Sequence, residues 1–431
     1  MRITFLRAVA ACALTTSAAS AQEATYGPAA PQNAASEGEP APQAIPDILV
    51  DAVNQSLSQN PSVLAGLAEV AALQSDLRAA KWQRYPNLSA EVLATTGGSS
   101  IADADGLAVN LALEQPIWAG GGIGSRIDAA RFSRDVGENA LREVRFNILL
   151  GIVQSYFDAL LAFERVRVLE EGLAEHRQLV ERIERRVAQE VSPLADLTLA
   201  RSRLTQLEVE MTTAQEIGQS AMLRLAEFVG EPVPRPVFPD GAIMDGLPAQ
   251  QVAVQDMLAC SPSLDRLESQ IDVAEANVRS ARSALFPQLL LQLSQNELTG
   301  ARAAIVLRAQ TGNGLSRFAS VDSARSRVDQ AVAELGQADR EVRTRLDSEY
   351  IVLRSSRQRE EAGRLAADAA SDLLASYQRQ FVAGRRSWLD VLNAAREVTS
   401  AQVAESDARV NMVASATRIL ALSCRWRPAG L

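Results

Sequence analysis

The stretch Tyr85-Pro86-Asn87-Leu88 returns later in the chain as Phe286-Pro287-Gln288-Leu289, so an aromatic residue, a proline, a polar residue and a leucine occur twice in the same order. A second motif, Asn60-Pro61-Ser62-Val63, precedes the first copy, and Ser261-Pro262-Ser263-Leu264 precedes the second copy at the same spacing. The chain is therefore an internal duplication. Because a repeat unit often cannot bury its apolar face alone, we expect the two copies to pack against each other.

Each copy predicts the same order of elements, which is a helix, a pair of strands, a very long helix and a shorter helix. The first repeat covers residues 46–230, with a strand pair at 88–113, a long helix at 126–190 and a helix at 193–229. The second repeat covers residues 251–424, with a strand pair at 288–309, a long helix at 318–383 and a helix at 387–423. A proline-rich connector at 231–250 joins the repeats, and residues 425–431 form a C-terminal tail.

Proline and glycine mark the boundaries of these elements. Pro61 lies at the start of a helix that Pro86 stops. The alternating residues on either side of Gly97-Gly98-Ser99-Ser100 predict a β-hairpin. Ser192-Pro193 interrupts the helical pattern and predicts the tip of an antiparallel helical hairpin.

The long helix of the first repeat has a coiled-coil pattern. From Ala162 to Val187, seam residues recur at alternating steps of four and three, and the series includes His176. A helix of about 65 residues spans ~98 Å, and the two shorter helices of a repeat together span ~93 Å. We therefore expect the shorter helices to stack end to end beside the long one.

The amino-acid composition is typical of a protein with long helices and argues against a nucleic-acid-binding protein. The chain is 47% hydrophobic but only 4% aromatic, which is typical of long helices. Its formal net charge of −9 argues against a nucleic-acid surface, which needs cations to neutralise phosphates. Because no uninterrupted apolar run of about 18 residues follows residue 21, we expect no transmembrane helix in the mature chain.

The first 21 residues predict a secretory signal peptide. Arg2 and Arg7 flank a short apolar run, and Ala19-Ser20-Ala21 offers a cleavage site between small residues. A lipoprotein signal that ends at Cys12 is the alternative. Residues 22–45, rich in proline and alanine, predict a disordered linker.

Four strands per chain pose a physical problem for an exported protein. An isolated four-stranded sheet has two open edges, and inside a bilayer the backbone groups of those edges would lack partners. Closed barrels need about eight strands, and aqueous pores need more. The sequence therefore predicts an α+β membrane protein whose copies associate to close a barrel, with eight strands in a dimer or twelve in a trimer.

Aromatic residues lie where helices meet strands. Trp82, Tyr85, Trp118 and Phe286 occupy such positions, which are those expected of an aromatic belt at a membrane surface. Plugging of the junction between helix and strand explains the same positions equally well. Both interpretations put the four residues at the same level along the molecule, where the helices meet the strands.

These motifs together resemble the TolC-like outer-membrane channels over about residues 46–424. The resemblance is carried by the duplicated plan, by Leu113-Glu114-Gln115-Pro116-Ile117-Trp118, and by the segment Tyr377–Asn393. It implies a homotrimer with a twelve-stranded barrel in the outer membrane and a coiled-coil tunnel of long helices in the periplasm. The implied partners are a periplasmic adaptor and an inner-membrane ABC transporter, with an RND pump as the alternative transporter.

The segment that ends at Asn393 is most similar to the channels of type I secretion systems that export large adhesins. Efflux of small molecules is the alternative function. A periplasmic adaptor, which also has long coiled-coil hairpins, is the competing class. Adaptors usually have a single hairpin and an inner-membrane anchor, whereas this sequence predicts two hairpins.

The resemblance also implies residues for the periplasmic entrance. Asp390 matches an acidic ring, Arg386 matches a basic residue of the closing network, and Asn393 stands where a second aspartate often stands. Asp196 is the counterpart of Asp390 in the first repeat. Ordinary solvated charges on a helical turn are the competing explanation for Arg386 and Asp390.

A second set of residues matches the positions where adaptor tips dock. These are Gly384 and Ser387, whose small side chains would permit close approach, and Glu190 and Pro193 replace them in the first repeat. We therefore expect the two docking grooves to differ.

No catalytic residue, cofactor or metal site is predicted. His176 is a single histidine on a helical seam, where a packed side chain is the ordinary explanation. Gly120-Gly121-Gly122 lacks the Lys-Ser/Thr that a phosphate-binding loop requires, so we expect a flexible joint between barrel and helix. After loss of the signal peptide, Cys260 and Cys424 could form one disulfide.

Overall fold

The computed structural model describes residues 44–95, 106–239, 241–296, 300–310, 312 and 314–428. The predicted signal peptide, Cys12, residues 22–43 of the predicted linker and the glycines at 97–98 lie outside the described residues.

Both repeats contain helices and strands in the same order, which is two helices, a strand pair, a long helix and a shorter helix. The first consists of α1 (Asp47–Gln59), α2 (Pro61–Trp82), β1 (Asn87–Thr95), β2 (Gly106–Trp118), α3 (Gly122–Ala188) and α4 (Leu194–Val229). The second consists of α5 (Gln250–Cys260), α6 (Pro262–Ser283), β3 (Gln288–Asn296), β4 (Gly300–Arg308), α7 (Ser316–Val382) and α8 (Trp388–Leu422). Helices α3 and α7 have 67 residues each and extend for ~100 Å.

The helices form one layer of four columns. Helix α3 packs against α2 and α4 and also against α6 and α8, while α7 packs against α6 and α8. The columns are therefore α2 with α4, then α3, then α6 with α8, then α7. The strands follow the same order, β1-β2-β3-β4, so each column of helices continues one strand.

The sheet is antiparallel throughout, and its register carries across the repeats. Leu88 pairs with Leu113, which pairs with Leu293 on the first strand of the second repeat. The predicted end of β2 at residue 113 is too early, because the strand continues to Trp118. It passes Pro116 through a shift in register, which is where a residue without an N–H fits into a sheet.

The main hydrophobic core lies at the middle of the helical layer, where α1 packs on α3 and α5 packs on α7 and α8. The predicted plan does not include these two short helices. The fully buried side chains of the main core include Leu49, Ile152, Tyr156 and Ile419.

Three segments that the sequence predicts as linker, connector and tail contribute to this core. Ala44 and Ile45 from the end of the predicted 22–45 linker are buried, as is Ile243 of the 231–250 connector. In the predicted tail, Trp426 is only 1% exposed. Each segment is short or rich in proline, but its apolar side chains reach the core and are removed from water.

One disulfide joins Cys260 to Cys424, with a sequence separation of 164 residues. It connects the end of α5 to the segment after α8. The sequence leaves this pairing open, and the structure forms it.

The joint between β2 and α3 is a turn of defined geometry rather than a flexible one. Gly120 and Gly121 both have left-handed backbone conformations, with φ of 58° and 83°. A Cβ on Gly120 would lie 2.9 Å from the Cβ of Phe286. Glycine is therefore required there both for its φ and for the close approach of the aromatic residue.

Helix α3 contains a window of 18 residues with a mean hydropathy of 1.5, which by length and composition could cross a membrane. The window is not an uninterrupted apolar run, so the sequence pattern does not predict it. Of its residues, 61% are buried inside the protein, so helix packing accounts for its apolar character.

Candidate functional site

The two faces of the sheet differ in chemistry. Residues that pair directly across strands share a face, and the register assigns one face the following apolar side chains: Leu88, Leu113, Leu291, Leu293, Ile305 and Leu307. The other face carries mainly polar side chains: Asn87, Ser89, Glu114, Gln292, Arg302 and Arg308. On the apolar face, Leu88 and Ile305 are each 70% exposed. An exposed apolar sheet face of this kind indicates a surface that contacts another protein or a membrane.

The polar face contains a charged cluster near the helical end of the sheet. Glu114 accepts hydrogen bonds from Gln292 Nε2 at 2.7 Å and from Arg308 Nη2 at 3.2 Å. The cluster links β2, β3 and β4. It therefore fixes polar side chains along the face opposite the leucines.

The four junction aromatics remain exposed and form two pairs. Trp82 lies 4.9 Å from Tyr85, and Trp118 lies 6.4 Å from Phe286, between ring centroids. All four belong to the exposed large apolar residues. Their exposure fits a membrane belt, while their pairing and the contact of Phe286 with Gly120 fit a junction plug, so the belt stays a prediction.

The first hairpin tip lies between α3 and α4 and contains a strained residue. Glu190 has a φ of 57°, and its N–H donates to the Val187 carbonyl while the Val191 N–H donates to Arg186. This is a Schellman-type helix end, in which the left-handed residue is usually glycine. Pro193 then precedes the first residue of α4.

The second hairpin tip, between α7 and α8, has the same backbone motif with glycine. Gly384 has a φ of 69°; its N–H donates to Phe381, and the Arg385 N–H donates to Gln380. Nothing lies within 4 Å of a Cβ built on Gly384. Within the single chain, the glycine is therefore explained by its φ and not by close packing, and its predicted docking role stays a prediction.

The structure brings Ser387, Asp390 and Arg386 together at the start of α8. Ser387 and Asp390 form a capping box, in which the Asp390 N–H donates to Ser387 Oγ and the Ser387 N–H donates to Asp390. Arg386 lies 3.8 Å from Asp390, with side chains 42% and 37% exposed. The arginine also lies over the Tyr377 ring at 4.5 Å. Two of the four predicted entrance residues, Arg386 and Asp390, thus have structural contacts within the tip.

The other two predicted entrance residues lie on α4 and on the next turn of α8. Asp196 lies in the first turn of α4, and its N–H donates to the Pro193 carbonyl at 3.1 Å. Asn393 lies on the exposed side of α8. Their predicted roles at an entrance stay predictions.

A separate hydrophobic cluster, which we call the tip cluster, joins both hairpins just above their tips. It contains buried residues of four helices, including Ile183 of α3, Leu197 of α4, Leu374 of α7 and Trp388 of α8. The sequence alone does not mark Trp388 as a site residue, although it lies next to the capping Ser387. A tryptophan directly after the capping Ser387, at a hairpin tip, is the available signal.

Polar contacts reinforce the boundary between the two hairpins. Arg165 of α3 donates two hydrogen bonds to Asp407 of α8 at 2.7 and 2.6 Å, and these bonds raise the pKa of the Arg165 guanidinium. Gln378 of α7 donates to Glu175 of α3 at 2.7 Å. These contacts bind the first hairpin to the second near residues 165 and 175 of α3.

His176 is packed, as its position on the seam predicts. It is buried, and its Nδ1 is 2.9 Å from the Gly172 carbonyl. Burial lowers the pKa of this imidazole because an uncharged ring avoids the cost of desolvation. Among the residues that the structure describes, no three His, Cys, Asp or Glu side chains are grouped to hold a metal ion.

Comparison with known families identifies the chain. The sequence model of the Outer membrane efflux protein family matches residues 52–231 and 253–423, which are nearly the whole of both repeats. The chain belongs to the outer membrane efflux protein family. The predicted family and fold class are confirmed, and the protein is an outer-membrane protein whose long helices lie in the periplasm.

The chain is similar to proteins whose names state different functions. The chain is similar to the cobalt-zinc-cadmium resistance protein CzcC of Cupriavidus metallidurans, with 27% identity over 67% of this chain and 70% of that protein. It is similar to the alkaline protease secretion protein AprF of Pseudomonas aeruginosa, with 22% identity over 74% of this chain and 69% of AprF. A crystal structure of CusC matches the fold with a TM-score of 0.77 at 19% identity, covering 88% of this chain and 92% of CusC.

Proposed function

We propose that three copies of this chain form a passive export channel from the periplasm to the exterior. The observation that carries this proposal is the sheet, which has an exposed apolar face, a polar face, and open edges at β1 and β4. Strands of 9 to 13 residues match the length that spans a bilayer when tilted. Closure into a barrel puts the leucine face in lipid and the polar face around an aqueous lumen.

The edges of the helical layer also support association of neighbouring copies into a closed ring. Its two outer columns, α2 with α4 and α7, lie below the two edge strands β1 and β4. Both carry exposed apolar side chains, among them Val209 and Leu223 on α4 and Ile351 and Leu365 on α7. Pairing of β4 with β1 of the next copy therefore also covers these side chains, and twelve strands continue into a tunnel of twelve columns.

The tips form the periplasmic entrance in this proposal. Asp390, Arg386, Asp196 and Asn393 surround its axis, and a ring of carboxylates focuses a negative potential there. A periplasmic adaptor docks at Gly384, Ser387, Glu190 and Pro193. An inner-membrane ABC transporter, or alternatively an RND pump, supplies the energy, since the channel itself is passive.

For the cargo, we favour a large protein exported by type I secretion. The segment Tyr377–Asn393 and the similarity to AprF support this cargo. Small solutes are the second candidate, and the similarity to CzcC favours metal cations among them. The two cargoes place different demands on the open diameter of one tunnel.

Reconstitution tests the channel. Purified protein extracted from the outer membrane should be a trimer about 140 Å long by electron microscopy, since the helices extend for ~100 Å and strands rise ~3.3 Å per residue. In planar lipid bilayers it should conduct ions, and Asp390→Ala should weaken block by polyvalent cations. Monomers without bilayer conductance would refute the channel.

A deletion strain separates the two cargoes. Loss of a large secreted protein, with unchanged tolerance of cobalt, zinc and cadmium, supports protein secretion. Increased metal sensitivity with normal secretion supports cation efflux. Complementation with the wild-type gene and with Leu293→Arg, whose insertion into the membrane should be reduced, controls for effects on neighbouring genes.

A further inference from the structure

The second hairpin tip encloses a tryptophan. Trp388 is the first residue of α8 and is only 3% exposed, whereas Ser387 before it and Leu389 after it are exposed. This burial arises within the single chain, so it does not depend on a neighbouring copy. Trp388 therefore belongs to the internal packing of the tip cluster.

Trp388 takes part in a chain of contacts that connects the two hairpins. Its ring lies 5.1 Å from the Phe381 ring, between centroids, and the Arg186 guanidinium lies over Phe381 at 4.7 Å. Arg186 belongs to the last turn of α3, where its carbonyl accepts from Val191. A movement of the second tip away from the first must break this cation–π contact.

The same tryptophan has an unfavourable feature. Within the described part of the chain, its buried Nε1 has no hydrogen-bond partner. A buried indole N–H normally has one, and an unpaired buried donor loses its hydration without compensation. Opening of the tip would let water reach this N–H.

The Arg386–Asp390 pair cannot replace this contact chain. Its atoms are 3.8 Å apart and its side chains are well exposed, so solvent screens the attraction. The packed tip is held mainly by buried apolar contacts, and Trp388 is the largest side chain among them.

We propose that Trp388 is a positioning residue of the entrance. It holds the second hairpin tip against the first through Phe381 and Arg186, and its unpaired indole N–H keeps this packed state close in free energy to an opened state. A docking partner can then open the tip with a modest gain in contacts. This inference rests on the proposed channel function and adds residues that the resemblance does not assign.

Two substitutions at Trp388 should have opposite effects on channel opening. Trp388→Ala removes the packing, so the open probability in planar bilayers should rise ~10-fold or more, the factor that corresponds to about 1.4 kcal/mol. Trp388→Phe keeps a ring but removes the unpaired N–H, so the open probability should fall. General loosening of the fold would instead raise it in both variants.

The chain supplies matched controls. Trp426 is equally buried and its Nε1 also lacks a partner in the described part of the chain, but it lies in the main core, so Trp426→Phe should leave conductance unchanged. Arg186→Met should raise the open probability, whereas Arg185→Met should not. Equal responses of Trp388→Phe and Trp426→Phe, or no response to Arg186→Met, would overturn the inference.

Fluorescence tests the burial directly, even if a variant fails to conduct. The chain has four tryptophans, so replacing Trp82, Trp118 and Trp426 with phenylalanine leaves Trp388 as the sole probe. Acrylamide should quench it weakly, and quenching should increase at least ~2-fold after Arg186→Met as water gains access. Unchanged quenching contradicts the role of Trp388. Absence of conductance in the wild-type protein instead contradicts the channel itself.

Discussion

Replacement of Glu190 with glycine should stabilise the first hairpin tip. Glu190 ends α3 with a φ of 57°, at the position where Gly384 ends α7 with a φ of 69°. A non-glycine residue in the left-handed region costs about 1–2 kcal/mol. Glycine avoids this cost but loses about 0.5–1 kcal/mol through the greater freedom of the unfolded chain. The net gain at the tip is therefore about 1 kcal/mol.

Hydrogen exchange measures this gain at the site itself. The Val191 and Ser192 N–H groups both donate to the Arg186 carbonyl, so their exchange reports opening of the last turn. Glu190→Gly should slow this exchange ~5-fold, the factor that corresponds to about 1 kcal/mol. The reciprocal Gly384→Glu should accelerate exchange of the Arg385 amide by a similar factor.

Glu190→Gln separates strain from charge, because it keeps the side chain that causes the strain and removes only the carboxylate. Exchange in this variant should match the wild type. If Glu190→Gly and Glu190→Gln slow exchange equally, the cause is repulsion by the carboxylate and the reasoning from backbone strain is wrong.

Three further predictions concern the sheet, the disulfide and the buried histidine. Leu293→Arg should reduce insertion into membranes by about 2–4 kcal/mol while Ser294→Arg on the polar face should not, as urea unfolding in lipid vesicles would show. Cys260→Ser should lower the free energy of unfolding by about 2–5 kcal/mol because it opens a loop of 164 residues; reduction of the wild-type protein should reproduce the loss. Burial lowers the pKa of His176, so the unfolded chain binds the proton more readily and stability falls as the pH drops below about 6.5. His176→Phe should flatten that fall in the urea midpoint.

The order of elements could be predicted because it depends on local patterns. The prolines that begin α2 and α6, the glycines at the hairpin turns and the seam that includes His176 are all local features of the sequence. The duplication then supports each assignment twice. Strand ends were less accurate, since the continuation of β2 past Pro116 depends on its pairing with β3.

The missed features depend on contacts between distant parts of the chain. Trp426 and Ile45 lie in segments with weak patterns, and only the assembled core buries them. At the tips, the sequence marks Arg386 and Asp390 through the family resemblance. It does not mark Trp388, whose contact with Phe381 and through it with Arg186 arises from the packing of two hairpins.

The disulfide has a topological consequence that differs between the two tips. Cys260 and Cys424 enclose α6, the second strand pair and the second hairpin in a covalent ring, and Arg385 lies within that ring. Trypsin cleavage after Arg385 would leave the pieces connected until a reductant is added, whereas cleavage after Arg185 would release a separate fragment. A periplasmic protease that cut the second tip would therefore leave two pieces joined by the Cys260–Cys424 disulfide. Non-reducing electrophoresis would show them together at the mass of the uncut chain.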